Sequence, residues 1–261
     1  MTRRLNVVLL ILLIGVFGPF FWLVLDTGGT GRAVKPVDIA QLRLLAEAIP
    51  GPLPREVRYE RIGRQPRTAD LVAAGSGLRQ VDLTTYAFQI VREDGTDITI
   101  DRGMSRRSAQ RRELADFDPE AQASVERVVR GAALALRLTR STVRPPAVPY
   151  PVAPGVVVIP TPGVGPGTRM IFVRLAEGRE LLFAGEIAPL NVSWRQDRPP
   201  PRAVTLFHRR PRVEIAQWLR TIRRLKWSAP LLVIVPGRDP ALPPPLKRGF
   251  AKTSAPFAIG R

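Results

Sequence analysis

The chain has 261 residues, of which 45% are hydrophobic, 24% charged and 7% aromatic, the composition of an ordinary globular protein at a length that suits one moderate domain plus a tail. Forty Lys and Arg against 22 Asp and Glu give a net charge of +18 at pH 7, and setting aside the two charges of Arg3 and Arg4 still leaves +16 on the part after residue 25. With no cysteine and a single histidine, His208, the sequence excludes zinc fingers, thiol nucleophiles, disulfide frameworks and any metal centre that needs several imidazoles.

The first element is the run from Asn6 to Leu25, twenty residues without a charge. At about 1.5 Å per residue a helix of that length spans about 30 Å of hydrocarbon. A cleaved signal peptide competes with an uncleaved anchor here, because Arg3 and Arg4 make a positive n-region. Phe20, Phe21 and Trp22 stand where small residues should precede a cleavage site, which favours the anchor, and Pro19 is expected to kink the helix. The two arginines on the short side place the N-terminus in the cytoplasm and the domain on the extracytoplasmic, periplasmic side, against a weaker opposing vote from Arg32 and Lys35. The basic balance reads either as a solvated surface or as attraction to anionic lipid headgroups next to the anchor. Nucleic acid is not expected, since the basic residues are scattered and no recognition motif accompanies them.

Asp26 to Lys35 is Gly-rich and reads as a tether, after which Asp38 can cap a helix carrying Leu42, Leu45, Ala46 and Ile49. Strands are expected over Glu56–Ile62 and Tyr86–Val91, with Glu93-Asp94-Gly95 turning into a third over Asp97–Ile100. The spacing of Val125, Val128, Val129, Ala132 and Leu136 predicts a helix from Pro119 to about Leu138, followed by a Pro-rich connection from Arg144 to Pro154. Strands over Val156–Ile159, Met170–Leu175 and Glu180–Phe183 come next, then a loop over Arg195–Arg202 and a helix over Val213–Leu225 whose basic face, Arg220, Arg223 and Arg224, reads as solvated. Leu231–Val235 is a last strand, and Pro240–Arg261 a Pro-rich tail.

Several of these words, in this order, resemble the metallo-β-lactamase fold. Phe88 to Val91, Asp94-Gly95-Thr96 and Ile98 to Gly103 look like that family's strand, turn and strand ending in Asp-x-Gly. Thr161 to Thr168 is similar to its Pro-Gly-His-Thr-Pro-Gly-Ser loop, Leu182 to Glu186 to its strand ending in Gly-Asp, and Val235 to Asp239 to its Pro-Gly-His-Asp end. The fold class this implies is α+β, a truncated αββα metallo-β-lactamase-like sandwich with an N-terminal transmembrane helix. The expected layout is an anchor over 1–25, a tether and extension with one helix over 26–80, the metallo-β-lactamase-like domain over 81–240, and a basic tail over 241–261.

The family binds one or two metal ions, usually zinc, and this sequence departs from the pattern at nearly every ligand. The His-x-His-x-Asp-His motif expected after the Pro119 helix is absent. The resemblance puts Asp101, Val164, Glu186 and Arg238 at the positions of the old metal site. A valine donates no lone pair, a guanidinium has no acceptor, and only Glu186, with Asp101 near it, keeps ligand chemistry. Neither a metal, a cofactor nor a catalytic residue is therefore assigned.

Plainer roles stand beside each of these. Asp101 and Asp239 at strand ends suit turn carboxylates, and Gly163, Gly165 and Gly167 suit a tight loop better than a phosphate cradle. His208 lies outside any ligand spacing. Two function classes remain: a membrane-anchored, catalytically inactive member of a hydrolase superfamily that binds or scaffolds, with no protein partner identified, or a divergent hydrolase on an unknown substrate. The second would work through unexpected carboxylates or through His208 as base for a serine, but no Gly-x-Ser-x-Gly elbow is present and Ser76 and Ser193 have no evident partner. If the resemblance holds, Arg238 stands between Asp101 and Glu186 as the positive charge that replaces the metal.

Overall fold

The computed structural model describes residues 3–28, 31–139, 146–208 and 211–251 and shows two five-stranded sheets with helices on their outer faces. The first sheet contains β1 (Glu56–Thr68), β2 (Gln80–Val91), β3 (Ile98–Ile100) and β4 (Leu134–Leu136). The second contains β5 (Tyr150–Ala153), β6 (Val156–Pro160), β7 (Arg169–Arg174), β8 (Glu180–Gly185) and β9 (Val233–Pro236), in that order across the sheet. The short β10 (Lys247–Arg248) returns to pair in parallel with β1 at the edge of the first sheet.

Alternation along the strands assigns each side chain its layer, because successive residues point to opposite faces. Val156 and Val158 of β6, with Ile171, Val173 and Phe183, face the first sheet and pack on Phe88, Ile90 and Ile100. The Phe88 and Phe183 rings meet edge to face with centroids 5.0 Å apart. The intervening Val157, Ile159, Phe172 and Leu182 point outward and are covered by α2 (Ile39–Glu47), through Leu42 and Ala46, and by α8 (Arg212–Ser228), through Ile215, Trp218, Leu219 and Ile222. On the other side α5 (Pro119–Gly131) covers Ile62 and Ala87 with Ala121 and Val125. This is the expected αββα sandwich.

The N-terminal helices follow their local chemistry. α1 (Arg3–Phe20) contains Pro19 and passes directly into a π-helical turn, Phe21–Leu25, a common response to the amide hydrogen that proline lacks. The stretch Leu5–Leu25 is long and apolar enough to cross a membrane by length and composition, with none of it buried, and a signal sequence would pass the same test. α2 starts as expected: the Asp38 carboxylate accepts a 2.7 Å hydrogen bond from the Ala40 amide.

Several elements differ from the sequence expectations, each for a physical reason. The helix predicted to reach Leu138 stops at Gly131, and Ala132 is already extended. Leu134 to Leu136 then leaves the helix to pair in parallel with Ile98 to Ile100, which buries Leu136 between the sheets. β1 runs six residues past Ile62, stepping over a bulge at Arg61/Gly63, and pairs with β2 down to Thr68↔Gln80. The expected division between residues 80 and 81 thus falls within one hairpin of the first sheet. Tyr150–Ala153 lies in the connection read as irregular, and α6 (Asn191–Arg195) and α7 (Arg202–His208) flank a shorter loop than the one expected. The tail contributes β10, while 252–261 lie outside the described residues, as do 144 and 145 of the Pro-rich connection.

The segment read as a Gly-rich tether is strapped to the domain. Arg202 donates to the Asp26 carboxylate at 2.6 Å, and Arg212 donates to the carbonyls of Asp26 and Gly28, both at 2.6 Å. Further along, Arg220 holds the Ala33 carbonyl at 2.9 Å and Arg224 the Val37 carbonyl at 2.8 Å, while the Lys35 amide donates to Thr221 Oγ1. Two of the three α8 arginines read as solvated therefore serve as backbone donors to a segment without secondary structure of its own. Arg202 also stacks over the Trp22 ring at 4.9 Å, which joins the end of the apolar helix to α7.

Candidate functional site

β3, β8 and β9 end along one edge of the sandwich, and there they bring Asp101, Glu186 and Arg238 into one open cleft of about 370 Å³. Asp101 follows β3 in a left-handed conformation, φ +61°, which asparagine and aspartate tolerate better than most residues. Its amide donates to the Leu136 carbonyl at 2.9 Å and its Oδ1 accepts from the Leu138 amide at 3.1 Å, so the carboxylate is pinned to the chain leaving β4. Two residues on, Gly103 has φ +64°, and an added Cβ would lie 2.3 Å from Gln122 Oε1. That oxygen already accepts the Met104 amide and closes the turn.

Glu186 and Arg238 are set by a close backbone approach. Gly185 pairs with Pro236 at the ends of β8 and β9, and a Cβ on Gly237 would come within 2.2 Å of the Gly185 carbonyl oxygen. Only glycine allows these two turns to abut, and Glu186 and Arg238 follow directly from them. The Arg238 carbonyl accepts the Thr84 amide of β2 at 2.8 Å, a hydrogen bond that links the two sheets at the rim of the cleft.

The charge in the cleft is richer than the sequence indicated. Arg102, Arg112 and Arg137 line it together with Arg238, Asp101 and Glu186. Burial pushes the Asp101 carboxyl up to about 6; the Leu138 amide pulls it down, the Glu186 charge raises it further, and Arg137 is the cation that opposes this. The positive charge bearing on Asp101 is thus Arg137, which the sequence reading did not single out. Had the break at Gly131 been read as a helix stop and Leu134 to Leu136 as a strand parallel to β3, Arg137 would have fallen at the same edge as Asp101. Arg102 was adjacent to a recognised position; for Arg112, on the turn after α4 (Arg106–Arg111), the sequence offered no signal.

Val164 does not join this group. It is half-buried against the outer cluster that α8 covers, in a loop where Gly163 lies against Glu214. The Gly-rich stretch is accordingly a loop packed on α8. Asp239 caps the local turn, accepting from the Asn191 amide at 2.7 Å and the Ala241 amide at 2.9 Å. Ser76 and Ser193 do not line the cleft, and the His208 side chain lies outside the described residues.

The zinc centre that the fold implies has no matching donor set here. Two carboxylates line the cleft, and among the described residues no group of three His, Cys, Asp or Glu side chains could hold a metal ion. Beyond these the sequence offers only the imidazole of His208, whose side chain lies outside the described residues. An open zinc site takes three protein ligands, and the remaining cleft charges are arginines, which stay protonated and repel a cation.

Comparison with solved structures supports the fold. A quorum-quenching N-acyl homoserine lactone lactonase is similar at 17% identity and a TM-score of 0.55, covering 72% of this chain and 93% of the lactonase. An N-acyl homoserine lactone hydrolase with product bound at its catalytic metal centre gives 15% identity and a TM-score of 0.46 over 72% of this chain and 94% of its own. A probable metal-dependent hydrolase from Staphylococcus aureus gives 10% and 0.47 over 73% and 91%. No protein family and no curated protein sequence matches the chain. The chain has a metallo-β-lactamase-like fold.

Proposed function

We propose that this is a membrane-anchored metallo-β-lactamase-fold protein whose cleft binds a ligand without hydrolysing it. The observation that carries the reading is the content of the cleft, where among the described residues two carboxylates and four arginines line one cavity. Hydrolysis in this fold requires a bound cation to polarise the substrate and supply hydroxide, and a site whose surplus charge is guanidinium is built to attract an anion. Leu5–Leu25 serves as the anchor, with the domain on the extracytoplasmic side, and the Arg202 and Arg212 straps fix the cleft-bearing domain against the end of that helix.

The test uses the full chain in detergent, assayed with and without added zinc on lactone, β-lactam, thioester and phosphodiester substrates, alongside metal analysis of the purified protein. No turnover and substoichiometric zinc are expected. Stoichiometric zinc with turnover that is abolished by chelator and by Glu186→Ala would overturn the reading.

A further inference from the structure

The geometry points to a phosphate group as the ligand of this cleft, held by the guanidinium groups of Arg102, Arg112 and Arg137 with Arg238 beside them. This deepens the binding role proposed above and rests on it. Arg102, Arg112 and Arg137 are exposed, and no hydrogen bond or ion pair engages their guanidinium groups within the described structure. Arg64, on β1, by contrast pairs with Asp82 and Asp116. Three cations left facing one cavity repel each other and are stabilised by an anion between them.

The charge count selects the anion. Among the described residues the lining holds four arginines and two carboxylates, a positive surplus that suits the roughly −1.5 to −2 of a phosphomonoester at neutral pH better than the single charge of a carboxylate. The planar fork of arginine binds phosphate oxygens in bidentate fashion. Asp101 and Glu186 line the same space and limit the anion to the part of it that the arginines reach.

A soluble phosphate compound and a lipid headgroup share this chemistry, and the fold keeps both in reach. β2 begins at Gln80, beside the segment that packs on the π-helical turn, and Thr84 lies four residues along it, about 13 Å at the usual rise of a strand.

Calorimetry with inorganic phosphate on the full chain in non-ionic detergent tests the proposal. Wild type is expected to bind, and the double variant Arg112→Ala, Arg137→Ala to lose about tenfold or more in affinity, the equivalent of one charge-assisted hydrogen bond. Arg127→Ala, exposed on α5 and outside the cleft, is the control for general charge and should stay within about twofold. Because both cleft arginines are exposed, circular dichroism of the double variant is expected to match wild type. Repeating the titration in phosphatidylcholine vesicles with and without phosphatidic acid separates the sources. Binding lost in the phosphatidic acid vesicles identifies a headgroup as the competing ligand, and equal binding identifies a soluble one; either supports the site. No binding by wild type, or equal binding by the double variant, overturns it. Hydrolytic turnover with zinc would instead overturn the non-hydrolytic reading and leave an observed anion site standing.

Discussion

Asp101→Asn is expected to stabilise the protein above pH 6 and to leave it unchanged near pH 3.5. The carboxyl sits at about 6 in the fold against 3.8 for an ordinary aspartate, so the folded chain holds a proton that the unfolded chain has released between those values. Stability from this group is fully present below about 3.8, falls as pH rises through the window, and is lost above about 6. At 1.36 kcal/mol per unit the whole loss is about 3 kcal/mol. Asp101 keeps part of its surface in the cleft, and solvent screening there reduces the figure to about 1–2 kcal/mol. Asparagine is a clean perturbation, because its Oδ1 can still accept the Leu138 amide and it tolerates the left-handed backbone. Thermal unfolding of both full chains in detergent between pH 3.5 and 8 should give midpoint curves that coincide in acid and diverge above pH 4, with the variant higher. Carboxylates such as Asp26, which Arg202 holds below the usual range, lose stability in the opposite direction on acidification and cancel in the difference between the two curves. Parallel curves at all pH, or a variant less stable at pH 8, would refute the burial argument.

Arg212→Ala removes three backbone acceptor contacts, to Asp26, Gly28 and Pro200, and is expected to cost about 2–3 kcal/mol; limited proteolysis within residues 26–35 should accelerate, and an unchanged rate would count against the strap. Gly237→Ala forces a methyl onto the Gly185 carbonyl and is expected to cost about 2–4 kcal/mol, measured by chemical denaturation. Phe88→Ala, at the centre of the inter-sheet core, should cost about 3–5 kcal/mol. Full-length chain should remain with membranes in high salt and carbonate and leave them only with detergent, whereas an N-terminal sequence beginning near residue 26 would show that the apolar helix is a cleaved signal.

The sandwich was legible wherever one rule decided the outcome. Val156 to Ile159 is apolar throughout and so buried on both faces, and the Asp38 cap and the turn at Glu93 to Gly95 carry their own chemistry. The elements that were missed are those whose apolar pattern suits two structures. Leu134 and Leu136 continue the helical spacing of α5 as well as they form a strand, and only pairing with β3 decides between them. β10 has no local signal at all, since it consists of Lys247 and Arg248 at an edge. The site was partly legible: three of its charged residues followed from strand ends in a recognised order, but Arg112 reaches the cleft from a short turn that nothing local assigns to it, and Val164 could not be placed before its loop was seen to pack on α8.

The +18 charge has structural destinations that composition alone does not reveal. Arg202, Arg212, Arg220 and Arg224 supply hydrogen bonds to the strap between helix and domain, where a chain without secondary structure would otherwise leave carbonyls unsatisfied. Arg43 binds the nearly buried Glu180 through two nitrogens, at 2.7 and 2.9 Å, and ties α2 to β8. At Arg43 the planar fork meets both carboxylate oxygens at once, a pairing that lysine would not reproduce. Arg102, Arg112 and Arg137 donate no such hydrogen bond within the described structure, yet they converge on one cleft, where Arg137 opposes the rise that burial gives Asp101. Among the described residues the cleft lining is thus richer in guanidinium than in carboxylate, and guanidinium groups stay protonated and draw anions rather than cations.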